Sequence, residues 1–466
     1  MASIIQTNPA FADFEATVRG DLFQPDTPGY DDARALYNGM IDKRPALIVQ
    51  VADVADVIAT VTFARENRME LAIRGGGHNG PGLASVDGGL VLDLRRMKSV
   101  RVDPVARTAR VEGGATWADV DHATHAFGLA VPSGTVSSTG VGGLTLGGGI
   151  GHLARKYGLT IDNLLAADVV LADGSLVTAS ADEHPDLFWA LRGGGGNFGV
   201  VTSFLFRLHP VDTVIAGPTF WSMDDAADVL RWYGDFITNA PDDLNGFFAF
   251  LNVPPGPPFP EELHRRNVAG IIWCYTGPKE KADEVFAEVT QVAPPLMHAL
   301  HEMPFPTLQS LFDPLLPPGL QWYWKADFLN EISEESIPFQ VEHGSKLPTQ
   351  LCTTHIYPIS GAARRVASDD TAFTFRDANF AQVMVGIDPE PANAGTITTW
   401  ARDYWNAIHP FSAGGAYVNM MMEEGYDRIR AAYGDNYDRL RAVKAIYDPA
   451  NLFRINQNIA PNGNGH

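Results

Sequence analysis

Cysteine, basic charge and long apolar runs are all scarce in this 466-residue chain. The only cysteines are Cys274 and Cys352, so a disulfide scaffold is excluded. Lys and Arg number 34 against 55 Asp and Glu, a formal net charge of −21. That field repels nucleic acid and anionic lipid, so neither is expected as a partner. No apolar run reaches the ~18 residues that a membrane-spanning helix needs. The opening MASIIQTNPAFADFEATVRG has no basic segment followed by an apolar stretch, and a cytoplasmic protein without a secretion signal is the expectation. Several catalytic signatures are missing as well: the P-loop run, the Gly-x-Ser-x-Gly elbow and the His-Glu-x-x-His zinc motif. His122 and His125 lie on a predicted helix but have no companion ligands at metal spacing, so no metal site is expected.

What is abundant is apolar residues, at 45%, and glycine, at 45 residues. The apolar fraction excludes disorder, and at roughly 150 residues per domain the length predicts two or three folding units. Residues 46–51 read as a strand, 53–66 as a helix with apolar residues at helical spacing, and 71–73 as a second strand. A strand follows at 89–94, then a hairpin from 99–102 to 108–112 around Asp103-Pro104. Thr116 with Asp119 three residues on is a capping signal for a helix that stops at Gly128. Residues 169–178 form a hairpin signal around Asp173-Gly174, 185–192 a helix and 200–208 a strand. Beyond Pro210, helices alternate with β-rich runs such as 270–274 and 322–328. The tail returns to a strand-like 416–419 and a helix that stops at Asp448-Pro449.

The glycines concentrate in three loops, at 74–80, 133–151 and 193–199. Gly194-x-Gly196-x-x-Gly199 formally matches the dinucleotide fingerprint, but that motif requires a helix to follow, and residues 200–208 carry the β-branched and aromatic residues of a strand. The 133–151 run interleaves Val, Leu and Ile with its glycines in a way that flexible linkers do not, so a backbone folded closely around a ligand is expected there. Repeated exposure of main-chain N–H groups suits a pyrophosphate and a large planar ring system. From spacing alone, a phosphate-bearing cofactor and a set of structural turns both remain open.

Four runs in order, RGGGHNGPG, VPSGTVSSTGVGGLTLGGGIGHLARKYGLTIDN, DLFWALRGGGGNFGVVT and YDPANLFRINQNI, strongly resemble the berberine bridge enzyme-like flavin oxidases of the vanillyl alcohol oxidase (PCMH-type FAD-binding) superfamily. The resemblance covers nearly the whole chain, more loosely in the middle. It implies an α+β fold with an FAD domain at 1–210 (its core about 40–210), a substrate domain at 211–415 built as an antiparallel sheet backed by helices, and a segment at 416–466 that returns to the FAD domain. It implies FAD joined covalently to His78, whose neutral imidazole attacks the methyl of the flavin's benzenoid ring. Arg74, Gly75, Gly76, Gly77, Asn79 and Gly80, with Ser137, Ser138, Thr139, Gly142 and Gly143, would wrap the pyrophosphate and ribose. Gly148, Gly149 and Gly151 would let the chain pass close to the cofactor, and the backbone of Val200 would meet the flavin's pyrimidine edge.

Many members of that family carry a second, cysteinyl link four residues before the Gly-Val-Gly-Gly run. Here that run is 140–143 and the position holds Val136, so a single link through His78 is expected. Thr139 falls at the family's oxygen-access position. Tyr417-Val418-Asn419 matches the family's Tyr-x-Asn, which implies Tyr417 over the substrate and Asn419 on the cofactor. In LCTTHIYPI, alternation puts Thr353, His355 and Tyr357 on one face of a strand, where relatives can present an acidic residue. His355 departs from that pattern as a possible acid or base at neutral pH, and a structural histidine fits equally. In the run 322–325, alternation separates Trp322 and Trp324 from Tyr323 and Lys325; core packing is the expected role, a pocket lining the other. The expected activity is oxidation of a small organic substrate, an aromatic alcohol or secondary metabolite, by hydride transfer to flavin with O2 reduced to H2O2. Tyr417 is the first candidate base or its hydrogen-bonded partner, with His355 and Tyr357 behind it. A same-fold dehydrogenase with another acceptor and an oligosaccharide oxidase are the alternatives.

Overall fold

A computed structural model describes residues 9–461. The first half builds two sheets. Leu47–Gln50, Leu90–Asp93 and Leu71–Arg74 run parallel, with Asp21–Phe23 antiparallel at the edge. The crossover between Leu47–Gln50 and Leu71–Arg74 is the helix Val54–Glu66, whose N-cap Asp53 accepts from the Asp56 N–H and whose Val57, Val61 and Ala64 are buried against the sheet. The second sheet is antiparallel, in the order Val100–Asp103, Thr108–Glu112, Val200–Arg207, Leu164–Val170, Leu176–Ser180. The strand Val200–Arg207 after the third glycine loop bears out the rejection of the dinucleotide fingerprint. The helix Trp117–His125 has the capping box that Thr116 and Asp119 forecast.

The middle of the chain forms one eight-stranded antiparallel sheet, in the order Met297–His298, Thr213–Ser222, Asn267–Tyr275, Leu244–Asn252, Thr353–Pro358, Phe380–Asp388, Gln321–Leu329, with His301–Pro304 also on Thr213–Ser222. Side chains alternate across it. Phe248, Phe250, Ile271 and Trp273 pack with Val229, Leu230, Tyr233 and Ile237 of the helix Ala226–Asn239 and with Ile397, Ala401 and Tyr404 of the helix Ala394–Ile408. That leaves Phe247, Ala249, Leu251, His355 and Tyr357 on the opposite face, toward the glycine loops. This mixed architecture, with an antiparallel sheet backed by helices, is the fold class expected.

Two local expectations differ. Within 133–151 the chain forms a short helix, Val141–Gly147, rather than continuous loop, because Val141, Thr145 and Leu146 find a buried face there. The strand-like 416–419 lies in loop and the 3₁₀ turn Val418–Met420, with Tyr417 pinned by hydrogen bonds from two other main-chain and side-chain groups rather than by a strand ladder.

Buried polar anchors join the parts. The Arg155 guanidinium donates to the Pro241 and Ala240 carbonyls at 3.0 and 2.9 Å and to the Leu244 carbonyl, tying the segment after the second glycine loop to the start of a substrate-face strand. Lys444, fully buried, donates to Asp448 (2.6 Å) and to the carbonyls of Asn197 (2.6 Å) and Phe453 (2.9 Å). It therefore holds the C-terminal segment against the third glycine loop, while burial pulls its pKa below the ordinary lysine value. Lys444→Met leaves the Asp448 carboxylate buried without its partner; the expected loss is about 3–5 kcal/mol of unfolding free energy, read from denaturant midpoints at neutral pH.

Candidate active site

The site begins where the strand Leu71–Arg74 ends. Arg74 turns inward: its guanidinium donates to the carbonyls of Ala84 and Ala33, lies 3.6 Å from Asp93, and is held down to about 10 by burial. It braces the root of the first loop and takes no part in the cavity wall, so its expected contact with the cofactor is not through its side chain. Past Arg74 the loop crosses the second glycine run. A Cβ on Gly76 would lie 2.4 Å from the Gly140 nitrogen, and one on Gly140 would lie 2.3 Å from the Gly76 nitrogen. Only two glycines can cross at that distance.

Behind the crossing opens a cavity of about 960 Å³, bounded on one side by the glycine loops and on the other by the eight-stranded sheet. Gly75, Gly76, Gly77, His78, Asn79, Thr139, Gly142, Gly143 and Asn419 line it, as does Val136. A side chain on Gly143 or Gly196 would meet nothing within 4 Å, so at both positions bare backbone faces the open space. Among the described residues, no Asp, Glu, Lys or Arg belongs to the lining. A cradle of main-chain groups with that volume fits FAD, whose pyrophosphate would find N–H donors there.

The other expected cofactor residues lie just beneath this wall. Gly80 leaves room for Trp324, whose ring carbon would be 2.5 Å from a Cβ there. The Ser137 hydroxyl donates to Asp313, and that of Ser138 lies 3.4 Å from His78 Nε2. Gly149 and Gly151 are packing glycines: a Cβ would fall 2.0 Å from Thr160 Oγ1 and 1.9 Å from the Ser133 carbonyl oxygen, respectively. Gly148, at φ +136°, abuts Phe373 and Tyr417. The Val200 side chain is buried in the core, and its neighbours Gly199 and Val201 reach the cavity instead.

His78 stacks on Tyr37 with ring centroids 3.8 Å apart, and Tyr37 is fixed by donating its hydroxyl to the Leu316 carbonyl at 2.7 Å. Burial holds the His78 imidazole down to about 4, hence neutral. Across the cavity, the Tyr417 oxygen accepts from the Gly149 N–H (2.8 Å) and from Asn419 Nδ2 (2.9 Å), which also donates to the Leu144 carbonyl. These donors favour the phenolate, but burial outweighs them and leaves the pKa above its ordinary value. His355 Nδ1 and the Tyr357 hydroxyl are 2.7 Å apart, both packed against Phe247 with centroids 5.0 Å away. Burial lowers His355 to about 4 and pushes Tyr357 up to about 12.

Tyr417, His355 and Tyr357 thus share one cavity with His78. Trp322 and Trp324 pack in the buried core, as expected, and also line the cavity, because their strand is the sheet's edge beside the first glycine loop. Sequence reasoning missed Tyr37, which sits outside every glycine run, and Asn456 and Gln457, whose motif was visible but whose approach to the cavity depends on the Lys444 anchor.

Residues 45–180 match the FAD binding domain family, and 416–460 match the family described as berberine and berberine like. An FAD-linked oxidoreductase of Dictyostelium discoideum is 31% identical over 96% of this chain and 96% of its own length. The chain is an FAD-linked oxidoreductase of the berberine bridge enzyme-like family. The (R)-6-hydroxynicotine oxidase of Paenarthrobacter nicotinovorans is 38% identical over 49% of the chain and 50% of its own length. Among solved structures, 6-hydroxy-D-nicotine oxidase from Arthrobacter nicotinovorans superposes with a TM-score of 0.85 at 27% identity, covering 95% of this chain and 98% of that one. No helix among the described residues is long and apolar enough to cross a membrane.

Buried imidazoles set the acid limit of the oxidoreductase. His152 is 4% exposed, packs on Phe247 and is lowered to about 4, so between its ordinary value and 4 the unfolded chain binds a proton that the folded one refuses. His355 adds to the same trend. The imidazole contribution is expected to be complete above about pH 6.5 and to be lost as pH drops toward 4, opposed in part by the buried Asp121 carboxyl, which burial raises to about 7. Unfolding temperatures measured from pH 7 to 4.5 should show this decline, with a shallower slope in His152→Phe.

Proposed function

We propose that the oxidoreductase is an oxidase of small, neutral, largely apolar or aromatic molecules, with FAD attached through His78 alone and O2 as electron acceptor. The observation that carries this reading is the arrangement around one cavity: a neutral imidazole at the glycine cradle, Tyr417 with its His355–Tyr357 neighbours opposite, and no charged side chain between them.

Bound FAD supplies the two-electron acceptor. Gly75 to Gly77, Asn79, Thr139, Gly142, Gly143 and Asn419 would hold it, with Gly80, Ser137, Ser138, Gly148, Gly149, Gly151 and Val200 supporting them from beneath. His78 offers a neutral nitrogen, the nucleophilic form, kept in place by Tyr37. Val136 has no nucleophile for a second link. The Cys352 thiol is raised above its ordinary pKa by burial and sits beside Ile387 on the sheet, and Cys274 is buried in the sheet.

Tyr417 is the group proposed to touch the reacting oxygen or nitrogen. A neutral phenol has two lone pairs, and Gly149 and Asn419 occupy both, so it can only donate its proton into the cavity. As phenolate it keeps one free lone pair, available to the substrate's proton. His355, neutral above about pH 4, and Tyr357 would carry that proton onward. Exclusion of water by Phe247, Trp322 and Trp324 strengthens each of these hydrogen bonds.

Acid denaturation should leave a fluorescent flavin on the peptide containing His78, and His78→Ala should release it to the supernatant. Free flavin from the native protein would remove the covalent claim. Tyr417→Phe, with flavin content unchanged, should slow anaerobic flavin reduction by about 10²- to 10⁴-fold; an unchanged rate would exclude Tyr417. H2O2 formed in step with substrate oxidation identifies the oxidase, whereas slow reoxidation in air would make the protein a dehydrogenase.

A further inference from the structure

Tyr37, Asn38 and Gly39 lie outside every glycine run, yet they are bonded to the His78 loop on one side and to the eight-stranded sheet on the other. The Tyr37 N–H donates to the carbonyl of Gly77, one residue before His78, at 3.3 Å, and the Tyr37 carbonyl accepts from the Gly319 N–H at 2.9 Å. Asn38, 1% exposed, donates to the carbonyls of Gly80 (2.7 Å) and Trp322 (3.1 Å). It also accepts from the N–H groups of Trp322 (3.1 Å) and Met40 (3.0 Å). An amide side chain has two donor hydrogens and two acceptor lone pairs, and here all are used. The Gly39 N–H donates to the Leu320 carbonyl at 2.7 Å, and a Cβ on Gly39 would lie 2.2 Å from the Gly319 oxygen. The tripeptide therefore fixes the first glycine loop against the chain entering the strand Gln321–Leu329.

The Tyr37 ring extends this junction to His78 itself. The two rings stack with 16° between their planes, and the Trp322 ring centroid is 5.3 Å from that of Tyr37. The Leu316 carbonyl accepts the Tyr37 hydroxyl. The same stretch of chain supplies Asp313, which accepts from Ser137, next to the Ser138 hydroxyl at His78 Nε2. Tyr37 is 7% exposed and belongs to the apolar cluster of the eight-stranded sheet, whereas His78 is half-buried and lines the cavity. An imidazole covered on one face by a ring that cannot itself move has little freedom to turn.

We propose that Tyr37 is a positioning residue for the bond between His78 and the flavin: its ring holds the imidazole plane, and residues 313–319 hold Tyr37. The inference rests on the His78 link read above and makes that link depend on a docked eight-stranded sheet. The bond-forming step breaks one C–H of the ring methyl, removes the imidazole proton and makes one C–N bond. The two electrons and two protons released pass through the flavin to O2, giving H2O2. Tyr37 takes no part in that exchange.

The test uses the full chain produced in riboflavin-limited cells, to which FAD is then added. Linked flavin is read as fluorescence of the acid-quenched protein band, and total bound flavin as absorbance after gel filtration. Tyr37→Leu should bind FAD to the native level but link it about 10²-fold more slowly, the loss that follows when a reacting group is misplaced by about 1 Å. The FAD concentration giving half the maximal rate should stay where it is. Tyr37→Phe keeps the ring and loses the Leu316 bond, and should slow linkage about fivefold. A ring that only packs would weaken FAD binding and leave the linkage of bound FAD at its native rate; that result overturns the proposal. Should Tyr37→Leu fail to fold, Tyr37→Phe decides, and an unchanged rate in it overturns the proposal as well. A native chain that binds FAD without linking it would overturn the His78 link and this inference together, whereas native linkage at a rate shared by both variants would overturn the inference alone.

Discussion

Everything in the active site depends on two backbones touching. Where Gly76 crosses Gly140, each Cα occupies the space a neighbour's side chain would need. The contact brings the loop carrying His78 against the loop carrying Val136 to Thr139 and turns bare backbone toward the cavity. A single methyl at either position would push the loops apart by more than the tolerance of a positioned catalytic group. The anchors elsewhere hold this crossing in place: Arg74 fixes one loop from the sheet below, Lys444 fixes the third glycine loop from the C-terminal side, and Arg155 ties the segment after the second to the substrate sheet.

The cavity's neutrality stands out in a chain with a net charge of −21. Acidic residues crowd the exterior, yet among the described residues the groups that face the cavity are imidazoles, phenols, indoles, hydroxyls, a thiol, amides and hydrocarbon. Burial keeps His78 and His355 unprotonated, so the site has lone pairs without formal charge. The polar groups there are largely paired with one another: Gly149 and Asn419 donate to the Tyr417 oxygen, and His355 and Tyr357 are hydrogen-bonded together.

Local features with a strong sequence signal were legible. The Thr116–Asp119 capping box, the helix Val54–Glu66 and the strand at Val200–Arg207 follow from capping, periodicity and β-branching, and the last of these rightly excluded a dinucleotide motif. The glycine loops pointed to a cradle, but which glycines face it was not readable. Gly143 borders open space, whereas Gly149 and Gly151 are demanded by Thr160 and Ser133, contacts that spacing cannot reveal. Tyr37 was invisible for the same reason: its partner is His78, reached through the tertiary fold. The helix Val141–Gly147 was hidden by its glycines, whose low propensity is overridden by burial of Val141 and Leu146. The tryptophan pair packs in the core as expected, but that it also borders the cavity was not readable, because alternation identifies a shared face without saying what lies beyond it.

The alternating faces of the eight-stranded sheet also bear on how such a site can diverge. Phe248 and Phe250 belong to the helix-backed core, while Phe247, Ala249 and Leu251, interleaved with them, belong to the cavity. Each strand therefore carries two interleaved sets of side chains, one packed against the helices and one that packs a second core beside the cavity. The glycine cradle lacks this separation, since its packing and its cofactor-facing backbone are the same atoms. A replacement on the sheet side of the cavity therefore changes its walls without touching the crossing of Gly76 and Gly140.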